Sequence, residues 1–143
     1  MCPDTIWMNE LAAAYGNLPY KNMSGLSLAF IGDAVYEVLV RGYVLSQGEA
    51  RVQELHRDTV KFVNAAFQAQ AAEKLMPSLT EEEITFYKRG RNANSAHTPK
   101  NKSEAEYHKA TGFEALFGYL FLSEQYERLR ALFDLTIKTG ESA

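Results

Sequence analysis

Apolar and polar residues along this chain fall into long stretches with helical spacing, separated by short runs of Gly, Pro, Asn and Ser. Leu26–Arg41, LSLAFIGDAVYEVLVR, is apolar almost throughout and reads as a helix buried on most sides. It is expected to run from about Gly25 to Leu45 and to end near Gly48. Residues 1–23 are broken by Pro3, Gly16 and Pro19, with room for a short helix at Asn9–Tyr15. Arg51–Met76 has apolar positions at Val52, Leu55, Val60, Val63, Ala66, Phe67 and Leu75, at mixed three- and four-residue spacings. A break near Arg57-Asp58, with Asp58 as cap, is expected to split it before Pro77 stops it. Thr80-Glu81-Glu82-Glu83 is a capping box opening a helix that runs into Lys88-Arg89 before Gly90. A second box, Ser103-x-x-Glu106, starts a helix over Glu104–Leu122. Ser123 begins a last helix ending near Thr139, with Gly140 as terminator. No segment shows β-strand alternation, so the fold class is all-α, without internal repeats.

The chain has 143 residues, 46% of them apolar, which suits one domain over 1–143 with a core at about 25–138. The single cysteine, Cys2, excludes a disulfide within the chain, and His56, His97 and His108 share no zinc-ligand spacing. MCPDTIWMNE lacks the basic and apolar regions of a signal peptide. No apolar run reaches the roughly 18–20 residues a membrane helix needs. A cytoplasmic protein without membrane partners is the expectation.

Charge changes the picture at one place. The net charge is −3, yet Lys88–Lys102, KRGRNANSAHTPKNK, holds five Lys/Arg and no acid. The rest of the chain has ten basic and eighteen acidic residues, a balance of −8. Local field governs the steering of a polyanion, so this loop is where a phosphate backbone is expected. Lys88, Arg89, Arg91, Lys100 and Lys102 are the candidate phosphate contacts. Asn92, Asn94 and Asn101 can donate further hydrogen bonds to such a backbone.

Two carboxylates stand out against apolar helices. Asp33 sits inside the first of them, and an unpaired buried carboxylate is costly. Either Gly32-Asp33 breaks the helix and Asp33 caps a new one starting at Ala34, or the helix runs through and Asp33 faces a polar cleft. In the second case Gly32 marks a close approach by another backbone. Thr111–Leu122, TGFEALFGYLFL, repeats the pattern with Glu114, whose helical face it shares with Thr111 and Gly118. A pair of carboxylates with an open face suits Mg²⁺, with waters and substrate phosphate completing its shell. Together with the basic loop, the pair describes metal-assisted phosphodiester hydrolysis.

These residues carry a resemblance. AFIGDAVYE (Ala29–Glu37) resembles the signature helix of the ribonuclease III endonuclease domain, and FEALFGYLFL (Phe113–Leu122) its second acidic helix. The basic loop, with RGRNA (Arg89–Ala93) and PKN (Pro99–Asn101), is similar to that of the compact Mini-ribonuclease III branch. The resemblance covers about Gly25 to Lys138. It implies a homodimeric all-α endonuclease that cleaves double-stranded RNA with Mg²⁺ and matures precursor large-subunit (23S) ribosomal RNA. Asp33 and Glu114 then occupy the metal-binding and catalytic positions, and the loop inserts into RNA. A ribosomal protein that presents the substrate is a further partner to consider. Two positions depart from the larger enzymes, which have carboxylates where this chain has Ala29 and Thr111. Water and RNA phosphate must then supply more of the metal's shell. No separate double-stranded-RNA-binding domain is expected, so RNA affinity should be strongly salt-dependent.

Glu37, one turn after Asp33, is a candidate to hydrogen-bond a water held by the ion. It is equally placed to pair with Arg41 at i+4. His56 reads as a packing or capping residue, His97 as a loop residue near RNA, and Tyr36, Tyr107 and Tyr119 as core. The alternative function is a catalytically silent RNA-binding or ribosome-assembly factor, motivated by Ala29 and Thr111; a helical protein-interaction module without RNA affinity is a third.

Overall fold

The computed structural model describes residues 17–93 and 103–141, together with Glu10; of Ser103 only the backbone is described. Among the described residues six α-helices follow Glu10 and no strand occurs: α1 (Gly25–Ser46), α2 (Val52–Val60), α3 (Ala65–Leu75), α4 (Glu81–Arg91), α5 (Ser103–Leu122) and α6 (Tyr126–Glu141). Short 3₁₀ turns precede α1 at Tyr20–Asn22 and follow α3 at Met76–Ser78. The helix expected at Asn9–Tyr15 lies, Glu10 apart, outside the described residues.

α1 starts where Ser24 Oγ accepts the Ser27 amide, 3.1 Å away, and ends ahead of Gly48, whose φ of 132° lies in the left-handed region that favours glycine. It runs unbroken through Gly32 and Asp33. The reason lies on α5, the central helix, which packs against α1, α3, α4 and α6 and most extensively against α1. A methyl group on Gly32 would collide with the Glu114 carbonyl and lie 2.7 Å from the Gly118 amide nitrogen. One on Gly118 would strike the Leu28 carbonyl. The two helices cross backbone to backbone, and only hydrogen fits between them. Tyr36 anchors the core beside this crossing, edge-on to Phe113 and Phe117 with centroids 4.9 and 5.4 Å away. Its hydroxyl donates to the Phe62 carbonyl at 2.7 Å.

That bond holds the turn between α2 and α3, which lies later than the expected break at Arg57-Asp58. Asp58 is no cap; it pairs with Lys61 at 3.2 Å. Asn64 caps α3 instead, its Oδ1 accepting the Phe67 amide at 2.8 Å. α4 opens on the expected capping box between Thr80 and Glu83. It passes through Gly90, however, because a side chain there would meet the Thr111 carbonyl at 2.8 Å. α6 begins at Tyr126 rather than Ser123, whose hydroxyl bonds back to the Tyr119 carbonyl and completes α5. Gly140 lies inside α6, packed against Phe62 and Phe67, and Glu141 accepts from the Tyr43 hydroxyl at 2.6 Å. Tertiary contacts override the local stop signal at both glycines.

Glu83 is also the partner of Arg128. Its carboxylate is 2% exposed and accepts from Arg128 Nε at 2.8 Å, while Arg128 also donates to the Ser78 carbonyl at 2.7 Å. Burial works to raise the Glu83 pKa, but the hydrogen bonds from Arg128 and Thr80 outweigh it and hold the group below the usual carboxylate range. The pair ties α6 to the start of α4.

Candidate active site

The α1–α5 crossing decides where the two singled-out carboxylates sit. Asp33 follows Gly32 at the point of contact and Glu114 supplies the carbonyl that Gly32 meets, so the two side chains leave the same crossing. Their side chains are close enough to interact, Asp33 toward solvent and Glu114 partly buried. Burial, the hydrogen bond to Asp33 and the Asp33 charge together push the Glu114 pKa up to about 8. Two adjacent carboxylates whose charges oppose one another suit a cation between them. Their oxygens are hard donors, and the open side toward Asp33 leaves room for waters and phosphate. The residues therefore fit Mg²⁺.

Each departure lies about one helical turn before its carboxylate. Ala29 is packed into the core, and the Thr111 hydroxyl donates to the Tyr107 carbonyl at 3.0 Å, within its own helix. Neither presents an anion. Glu37 is engaged by Arg41 at 3.3 Å. Among the described residues no cluster of three or more His, Cys, Asp or Glu side chains gathers.

The cations at the end of α4 divide into different situations. Lys88 is exposed. Arg89 turns inward and donates to the carbonyls of Lys21 (2.7 Å) and Met23 (3.1 Å), its guanidinium 4.6 Å above the Phe86 ring. Arg91 lies 5.8 Å over Tyr87 and donates to the Asn92 side chain at 3.2 Å. Asn94, His97, Lys100, Asn101 and Lys102 fall outside the described residues. His56 is exposed and lines a cavity between α1 and α2, and Tyr36 and Tyr119 are buried core residues; Tyr107 is half-buried.

Sequence reasoning passed over Gln68. It lies on the buried face of α3 with Ala71, Ala72 and Leu75 and reaches the Glu114 side chain, whose charged form it favours. The signal was present: a glutamine occupying the apolar register of an alanine-rich helix.

A helical domain whose two central helices cross at glycines and present a carboxylate pair has the architecture of a nuclease catalytic domain. The family model for the ribonuclease III domain matches residues 26–125. Mini-ribonuclease 3 of Enterococcus faecalis is 46% identical over 126 residues, covering 86% of this chain and 96% of that protein. Mini-ribonuclease 3 of Symbiobacterium thermophilum is 50% identical over 104 residues, 73% of this chain and 80% of the relative. A crystal structure of a Fusobacterium nucleatum protein superposes with a TM-score of 0.75 at 32% identity, over 82% of this chain and 94% of the other. The chain belongs to the ribonuclease III family of endoribonucleases, in its Mini-ribonuclease 3 branch.

Proposed function

We propose that this protein is a Mg²⁺-dependent endoribonuclease that cleaves double-stranded RNA as a homodimer and matures the ends of precursor 23S ribosomal RNA in the cytoplasm. The carboxylate pair at the α1–α5 crossing carries the reading. Asp33 and Glu114 would hold the ion, which when bound activates a water and neutralises charge on the scissile phosphate. The helices supply rigidity. With the two backbones locked together, neither carboxylate can drift from the other. Lys88, Arg91 and the loop beyond grip the RNA backbone and bring a phosphate to the pair. The ribosomal RNA substrate rests on membership of the Mini-ribonuclease 3 branch, as does a ribosomal protein that presents it. Helices α1–α6 act as one catalytic domain.

Dimerisation is supported by α1. Phe30 is 83% exposed, and Leu26 and Val38 are exposed on the same side of the helix. Nearer the other end of α1 lies a cavity of about 220 Å³ lined by Val44, Leu45, Val52, Leu55 and His56 among others. Two copies pairing their α1 helices antiparallel bring each Phe30 toward the partner's cavity, and the two-fold axis gives one site per RNA strand. Light scattering should find a dimer, and Phe30→Asp should give a helical monomer without cleavage activity. An active wild-type monomer contradicts this arrangement.

Ala29 and Thr111, neither presenting an anion, support the silent RNA binder as a second reading. Long double-stranded RNA incubated with the protein and Mg²⁺ separates the two. Cleavage supports the enzyme, and intact RNA at every Mg²⁺ concentration supports the binder. Mapping the cut ends on precursor 23S RNA tests the substrate.

A further inference from the structure

Gln68 is only 4% exposed, and its Nε2 is buried without a hydrogen-bond partner. A buried donor left in that condition loses its hydrogen bonds to water and gains none in return. Leucine or methionine would fill the same space on α3 without the penalty, so the carboxamide needs a reason to be there. Its surroundings supply one. α3 packs on α5, and the amide lies beside the Glu114 carboxyl, near enough to favour its charged form but not within good hydrogen-bond geometry.

We infer that Gln68 is a positioning residue for the carboxylate pair: its Nε2–H donates to Glu114 when that carboxylate holds the cation, fixing which oxygen faces the ion. This rests on the reading of Asp33 and Glu114 as the metal-holding pair. An ionised carboxylate only accepts hydrogen bonds, and an oxygen turned from the ion into a buried wall needs a donor. Gln68 is the donor standing there unused. The need is greater in this chain because Ala29 and Thr111 contribute no ligand, so two side chains must set the geometry alone. Partners of metal-ligating carboxylates typically alter metal affinity or activity by about 10–100-fold when removed.

The test is Gln68→Met, which keeps length and burial but deletes the donor. Its melting temperature without metal should equal or exceed that of the wild type, because an unsatisfied donor has been removed. Mn²⁺ affinity, read from the electron paramagnetic resonance of free Mn²⁺, should fall by roughly 10–100-fold. The Mg²⁺ concentration for half-maximal cleavage should rise in parallel, with KM for RNA nearly unchanged. Gln68→Asn, a shorter amide, should recover part of the loss. Normal Mn²⁺ affinity in Gln68→Met, or a loss explained by a lower melting temperature, would overturn the assignment. Asp33→Asn distinguishes the two levels of the argument. If it binds Mn²⁺ like the wild type, the metal site itself lies elsewhere. If it abolishes binding while Gln68→Met does not affect it, only the role of Gln68 fails.

Discussion

Glu114 is the residue on which stability and chemistry meet. Its pKa in the folded chain, about 8, lies above its ordinary 4.5, so the folded state binds this proton more tightly than the unfolded state. The resulting stabilisation is complete below the ordinary carboxylate range and is lost as pH rises toward 8. In metal-free buffer the melting temperature should therefore decline across that window, and Glu114→Gln should remove most of the decline. Added Mg²⁺ should reverse it at the alkaline end, where the proton no longer competes with the ion. A wild-type melting curve insensitive to pH in this range contradicts the raised Glu114 pKa. Glu83 acts with the opposite sign. Its lowered pKa means that the Arg128 pair stabilises the fold above the ordinary carboxylate range and weakens only on acidification. Asp33 and Glu114 stood out in the sequence because charge is conspicuous in apolar surroundings. Gln68 did not, because a neutral amide in an alanine-rich segment looks like an ordinary exposed position until its register is counted.

At the scale of elements, the α1–α5 crossing determines the site. Gly32→Ala inserts a methyl group where the Glu114 carbonyl already lies. Overpacking ordinarily costs about 1–3 kcal/mol, and here the obstacle is backbone, which cannot rotate away. Urea denaturation should show a loss at or above that range, together with loss of cleavage. A variant of wild-type stability would mean the helices are not locked. The long helices and the Thr80 capping box were legible because period and cap chemistry are local. The α2–α3 turn was misplaced by several residues because what holds it is Tyr36, 26 positions from Phe62. Gly90 and Gly140 read as terminators because the surfaces packed against them, Thr111 and Phe67, are remote in sequence. The end of α4 also decides which cations can be removed without disturbing the fold. Arg89 is committed to the carbonyls of Lys21 and Met23, so its removal affects folding as well as any RNA binding. Lys88, Arg91, Lys100 and Lys102 changed to Ala give a cleaner probe. In an Asp33→Asn background, removing each cation that touches a phosphate should lower the log–log salt slope of RNA binding by about one unit. An unchanged slope would place the RNA path elsewhere.

The whole molecule is acidic overall and basic in one stretch, and it pairs a wet carboxylate site with an exposed apolar helix face. Those features agree with a dimer that presents two sites to one duplex, where neither RNA affinity nor double-strand cleavage comes from a single copy. No helix among the described residues is long and apolar enough to cross a membrane. Composition and charge pattern made the polyanion partner legible, and the apolar excess of Leu26–Val40 suggested a second copy, but which of those residues stay exposed was not legible, since Phe30 reads in sequence as one more core residue. The central claim is that Asp33 and Glu114 carry Mg²⁺-dependent cleavage while other surfaces hold the RNA. Its most direct test compares wild type and Asp33→Asn on the same long double-stranded RNA, measuring single-turnover cleavage with Mg²⁺ alongside RNA affinity and melting temperature. Asparagine keeps the volume and loses the anion. Cleavage should disappear, with affinity and melting temperature close to those of the wild type. Near-normal turnover by Asp33→Asn would contradict the account and make Asp33 a structural residue.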